Sequence, residues 1–169
     1  MSQRPGLIVV GVDGSREGDA ALAFALEEAA RCGDAVQVVT AWHVDLPPLS
    51  YPSLPQAGTL PTRSELREHA EEVQRQALAR ASVPAVTPVT CKVVEGLAGQ
   101  RLVEAARTGR LLVVGSRAIG PIRAALLGSV SRYCAHHAPC PVVVVPDGYP
   151  TPDAQEREAL VSARASKAM

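Results

Sequence analysis

The chain has few aromatic residues: one Trp, three Tyr and one Phe among 169. That is too few for a stacking platform on single-stranded nucleic acid. It also lacks an excess of either charge, since 17 basic and 17 acidic residues cancel. A polyanion-binding role therefore has no electrostatic footing, and no nucleic-acid partner is expected. Long apolar runs are missing too. The first, Leu7 to Val10, is short, and no basic-then-apolar leader precedes it. These absences point to a cytoplasmic chain with no membrane partner. The four cysteines, Cys32, Cys91, Cys134 and Cys140, are scattered and read as free thiols of a reducing compartment rather than a disulfide framework.

What is present is globular. Apolar residues make up 47% and charged residues 20%, enough for one self-sufficient core at this length. The expected organisation is a single domain over 1–147 with a flexible or weakly helical tail over 148–169.

Leu7 to Val12 is a continuous apolar, β-branched run, the pattern of a parallel strand buried on both faces. It ends at Asp13-Gly14-Ser15, a turn with a candidate helix cap. Acids at Glu17 and Asp19, helical spacing of Leu22, Leu26 and Ala29, and a stop at Gly33 predict a helix. Ala35 to Val44 reads as a second strand. The segment from Asp45 to Pro61 holds five prolines and no period, so a long, functional or mobile loop is expected there. Thr62 and Glu65 match a capping box ahead of the stripe Leu66, Ala70, Val73, Ala77. A third strand follows over Val89 to Val94, a short helix around Leu102, a fourth strand over Leu111 to Val114, a helix over Gly128 to Ala138 that must end before Pro139, and a fifth strand within Pro141 to Pro146. Strands alternating with helices predict a doubly wound parallel α/β fold.

In such sheets ligands bind beyond the carboxyl ends of the strands, where strand order reverses. Three segments qualify: Asp13-Gly14-Ser15, Ala41-Trp42-His43, and the chain from Gly115 onward. The last is the most informative. Gly115-Ser116-Arg117-Ala118 is followed, nine residues on, by Gly128-Ser129-Val130-Ser131. A glycine-bearing loop after a buried strand, leading to a hydroxyl-rich helix start, suits a phosphate, and Arg117 and Arg123 would add charge-assisted contacts. Taken alone, the same residues also fit a simple turn at Gly115 and a helix capped by Ser129. The pattern is neither a P-loop nor a dinucleotide fingerprint, because the required lysine and glycine spacing are missing.

The stretches IVVGVDGS (Ile8 to Ser15), VVEG (Val93 to Gly96), LLVVGSR (Leu111 to Arg117) and LLGSVSRYCAHHAPCPVVVV (Leu126 to Val145) resemble the universal stress protein family, over Pro5 to about Pro146. The resemblance implies a five-stranded parallel sheet of order 3-2-1-4-5 and a homodimer joined through the region Pro141 to Pro146. It also implies ATP or AMP as ligand, with any Mg2+ carried by the nucleotide. Its nucleotide-binding branch has the pattern G-x2-G-x9-G-[S/T]. Carried onto this chain, the site comprises Val12, Asp13, Gly14, Ser15, Ala41, Val114, Gly115, Arg117, Ala118, Gly128, Ser129, Val130 and Ser131. One position departs from the pattern: Ala118 stands where the second glycine belongs. If that position needs a left-handed backbone, an alanine costs about 1 kcal/mol or more; if phosphates approach there, its methyl crowds them. The alternative is thus a nucleotide-free dimeric interaction module.

Three rival chemistries are weaker. A hydrolase triad lacks the G-x-S-x-G elbow, and beyond Asp13 no general base is evident, so at most slow ATP hydrolysis is expected. Cys134, His137 and Cys140 invite a zinc reading, with Cys134 and His137 on one helical face, but no fourth ligand or paired CxxC supports it. Cys134 as a redox sensor stands against simple packing, and Trp42 as an adenine neighbour stands against core packing.

Overall fold

The computed structural model describes residues 6–44, 61–116, 127–146 and 148–149. The proline-rich segment over 45–60, Arg117, Ala118 and Arg123, and the tail from 150 onward lie outside the described residues.

Five strands are present: β1 (Leu7–Gly11), β2 (Ala35–Trp42), β3 (Val89–Glu95), β4 (Leu111–Gly115) and β5 (Val142–Val145). All pairings are parallel and the order is β3-β2-β1-β4-β5. Among the described residues four helices connect them: α1 (Arg16–Cys32), α2 (Arg63–Arg80), α3 (Ala98–Ala105, continued by a 3-10 turn over Ala106–Thr108) and α4 (Ser129–His137). The order reverses between β1 and β4, so a crevice opens at their carboxyl ends.

Period-two alternation divides the core into two layers. Ile8, Val10, Val36, Val38 and Val113 pack with Leu22, Leu26 and Ala29 of α1 and Ala77 of α2. Val9, Val39, Leu112 and Val114 pack with Leu102 of α3 and Cys134 of α4. The central strands β1 and β4 are buried on both faces, as their unbroken apolar runs require.

The helix boundaries follow local chemistry. Ser15 caps α1 by accepting the Gly18 N–H at 3.0 Å, and Gly33 ends it with φ +74°, a conformation that favours glycine. Thr62 and Glu65 form the reciprocal capping box at α2. Asp34, just before β2, accepts the Gly6 N–H at 2.7 Å and the Arg110 guanidinium. That pair holds the amino ends of β1, β2 and β4 together, away from the crevice. Tyr149 meets Phe24 of α1 edge-on, with ring centroids 5.7 Å apart, so the first residues beyond β5 are fastened to the domain. Among the described residues no helix is long and apolar enough to cross a membrane.

Candidate functional site

A cleft of about 520 Å³ lies beyond the carboxyl ends of β1, β2 and β4, within the usual range for a small-molecule site. Of the residues expected there, it collects Val12, Asp13, Ser15, Ala41, Val114, Gly115, Gly128, Ser129, Val130 and Ser131. Gly14 does not line it. Its φ of +79° turns the chain out of β1, and a Cβ there would lie 3.2 Å from the Val73 side chain of α2. Arg117 and Ala118 lie outside the described residues.

One wall is the β1–α1 turn. The Asp13 carboxylate accepts the Ser15 N–H at 3.0 Å and the Ser15 hydroxyl, while that hydroxyl accepts from Gly18. Ser15 thus spends its hydrogen-bonding capacity holding Asp13 and capping α1. Gly18, one turn into the helix, also lines the cleft. A Cβ on it would sit 2.8 Å from Asp13 Oδ1, so the missing side chain makes room for the carboxylate.

The floor is apolar and narrow. Gly11, Val39, Ala41, Ala98 and Leu102 line it, and Leu102 already lies 2.9 Å from where a Gly11 Cβ would stand. Trp42 is not part of it. Ala41 shares its face with Val39, whereas Trp42 follows Thr40 to the α2 face, beside Glu95 of β3. Of the two readings of Trp42, its place outside the cleft lining favours packing over a place beside a base.

The opposite wall is the start of α4. The N–H of Gly128 donates to the carbonyl of Ser116 at 3.4 Å, so the glycine-pattern loop leaves and returns at one place. No side chain caps α4; its N-cap is Gly128. The proposal that Ser129 merely caps its helix is thereby set aside. The first intrahelical bond runs from the Arg132 N–H to Gly128 at 2.9 Å, leaving the N–H groups of residues 129–131 ahead of it at the positive end of the dipole. The Ser131 hydroxyl is buried and donates to the Gly128 carbonyl at 3.0 Å. It contributes shape, and the anion-ready donors of this wall are backbone N–H groups and the exposed Ser129.

Gly115 has a reason that its sequence context does not reveal. Its φ is not positive. A Cβ there would lie 2.8 Å from the backbone and Cβ of Glu17, so glycine lets α1 approach β4 closely. Gly11, Gly18, Val39, Ala98, Leu102, Leu127 and Arg132 join the lining without having been expected there. Only the helical spacing around Leu102 hinted at any of them.

The cysteine reading changes as well. Cys134 is fully buried between α4 and the sheet, and burial pushes its thiol up to about 11. His137 is exposed and stacks on Tyr133, with centroids 4.3 Å apart. The two have the spacing of one helical face, but one is buried and the other exposed, and no group of three His, Cys, Asp or Glu residues is placed to hold a metal among the described residues. Full burial against the sheet favours the packing reading of Cys134 over the redox one.

Comparison with known proteins accords with this geometry. The model of the universal stress protein family matches residues 6–146. A universal stress protein of Mycobacterium bovis is 34% identical over 141 residues, covering 81% of this chain and 44% of its own length. One from Mycolicibacterium smegmatis is 35% identical over 142 residues, covering 82% and 47%. The chain thus spans less than half the length of these relatives. A solved universal stress protein in complex with cAMP is 26% identical, with a TM-score of 0.62, covering 85% of this chain and 98% of that one.

Proposed function

The chain belongs to the universal stress protein family, and on that premise we propose that it binds an adenine nucleotide, ATP or AMP, in the cleft at the carboxyl ends of β1, β2 and β4, acting as a cytoplasmic, dimeric regulator of stress physiology. The observation that carries the reading is the cleft's composition. A narrow apolar floor, a fixed carboxylate and an uncapped helix start stand around one space at the reversal of strand order. A flat base suits the slot formed by Gly11, Val39, Ala41, Ala98 and Leu102. The Asp13 carboxylate accepts from sugar hydroxyls, and the N–H groups of residues 129–131, with the Ser129 hydroxyl, hold phosphate. The solved relative that holds cAMP supports the same class of ligand. Any Mg2+ arrives with the nucleotide. Hydrolysis is at most slow, because the cleft offers Asp13 as its single carboxylate and no further base among the described residues.

The dimer reading rests on β5. It is an edge strand of four valines, three of them only half-buried, and a second copy covering the region Pro141 to Pro146 removes that liability. A Val144→Asp substitution is expected to yield a monomer by light scattering.

The test is direct. Protein purified without added nucleotide is denatured and its supernatant searched for ATP, ADP or AMP by mass spectrometry, and the native protein is then titrated with ATP and magnesium. Asp13→Asn and Ser129→Ala are each expected to weaken binding roughly 10-fold, the worth of one hydrogen bond to a charged group. Unchanged affinity in both refutes the reading. The alternative, a dimeric module without nucleotide, rests on Ala118 in place of the pattern's second glycine. It predicts an empty wild-type protein and a large gain in ATP affinity on Ala118→Gly.

A further inference from the structure

The charge around the cleft is unevenly matched. Among its described lining residues Asp13 and Arg132 are the charged pair, one on each wall. Arg132 stands three residues into α4, about 4.5 Å of rise from its first residue, and helical side chains lean back toward the amino end. A cation there opposes the helix dipole. The other long helices follow the favourable rule: α1 carries Glu17 and Asp19 in its first turn and α2 carries Glu65, whereas the first turn of α4 has no acid. Nor does a carboxylate offset the misplaced charge. Arg31, Arg63, Arg67, Arg75, Arg80, Arg101 and Arg110 each hold an acid. The Arg132 guanidinium has no such partner among the described residues, its recorded bond being that of its backbone N–H. Arg16 and Arg107 are also without a carboxylate, but neither lines the cleft. An exposed cation in the amino-terminal half of a helix, on the wall of a cleft and without a carboxylate partner among the described residues, is placed to meet an anion.

We propose that Arg132 sets the phosphate preference of the cleft: it takes the outer phosphates of a nucleoside di- or triphosphate and so favours ATP and ADP over AMP and adenosine. The proposal rests on the nucleotide reading of the same cleft. The helix start accommodates the phosphate nearest the sugar, in a cleft where Asp13 contributes a negative charge. Each further phosphate adds charge, and among the described lining residues Arg132 is the cation that meets it. A planar guanidinium suits the task, because its fork of donors matches phosphate oxygens in pairs.

The experiment titrates ATP, ADP, AMP and adenosine into wild type, Arg132→Gln and Arg132→Glu at fixed ionic strength. In Arg132→Gln, ATP affinity is expected to fall about tenfold, AMP affinity less than about threefold, and adenosine affinity not at all. Arg132→Glu is expected to raise the ligand-free Tm, because the acid complements the dipole, while weakening ATP further; loss of ATP binding is then not loss of fold. An unchanged ATP-to-AMP ratio in Arg132→Gln, with wild type binding all four ligands, overturns the role of Arg132 and leaves the nucleotide reading standing. A wild-type protein that binds none of the four overturns both.

Discussion

Gly115→Ala makes the sharpest demand on the packing argument. An added Cβ would lie 2.8 Å from the carbonyl carbon, Cβ and oxygen of Glu17, where ordinary contact begins at 3.4 Å. The obstacle is largely helix backbone, so α1 must retreat by about 0.6 Å along its contact with β4. That helix carries Leu22, Leu26 and Ala29 into the core as one rigid unit. Overpacking of this kind costs about 1–3 kcal/mol, which for a domain of this size lowers Tm by about 2–12 °C. The same retreat moves Asp13, Ser15 and Gly18, so nucleotide affinity is expected to fall with stability. Gly33→Ala is the control. It has φ +74° and no neighbour within 4 Å of its added Cβ, so it costs about 1 kcal/mol of backbone strain at the end of α1 far from the cleft, and ligand affinity is expected to hold. Thermal unfolding with and without ATP reads both effects. A Gly115→Ala protein whose Tm matches wild type within about 1 °C would show that α1 yields freely and that the close approach is not what the glycine is for.

Other outcomes follow from single contacts. At pH 8 a thiol reagent is expected to label the exposed Cys32 in the native protein and to spare Cys134, whose raised proton affinity leaves roughly one thiolate in a thousand. Labelling of Cys134 should appear only as pH climbs toward about 11 or as the fold opens, and peptide mapping by mass spectrometry distinguishes these. Thr62→Ala removes one half of the α2 capping box and is expected to cost about 1 kcal/mol in urea unfolding. The Glu65 carboxyl is held below its usual range by the Thr62 N–H and hydroxyl. Its contribution is therefore present above the ordinary carboxylate pKa and fades as pH falls through the lowered value; the stability difference between wild type and Thr62→Ala should shrink in that acid range. Arg110→Ala leaves the buried Asp34 with the Gly6 N–H as its described remaining partner and is expected to cost about 1–2 kcal/mol, the arginine being partly solvent-screened.

Much of the architecture was legible in particular residues. The runs Leu7 to Val12 and Leu111 to Val114 announced strands covered on both faces, and β1 and β4 are interior strands of the sheet. Ser15, Gly33, Thr62 and Glu65 marked helix ends that the structure keeps. The likeness to a known family supplied the strand order. Ten of the expected site residues do meet in one cleft. Other placements could not be read that way. Trp42 sits one residue beyond Ala41, and one residue is half a strand period, so its ring belongs to the other face. Cys134 and His137 have the spacing of a shared helical face, but the burial of α4 against the sheet covers the first and leaves the second exposed. Gly18 and Arg132 carried no strand-end signal, because each reaches the cleft from inside a helix.

The division has a physical cause. Strand and helix identity, caps and turns depend on groups within about four residues of one another, through hydrogen bonds and side-chain periods that a linear chain already contains. The amino-acid sequence alone therefore determined the alternating elements, their ends and the carboxyl-end address of the site. Close approach between elements depends on sheet order and on the depth to which a helix settles against its strands. Tertiary structure alone decided that Gly115 makes room for Glu17, that Gly18 makes room for Asp13, and that an arginine in the first half of α4 lines the cleft with no carboxylate paired to it among the described residues.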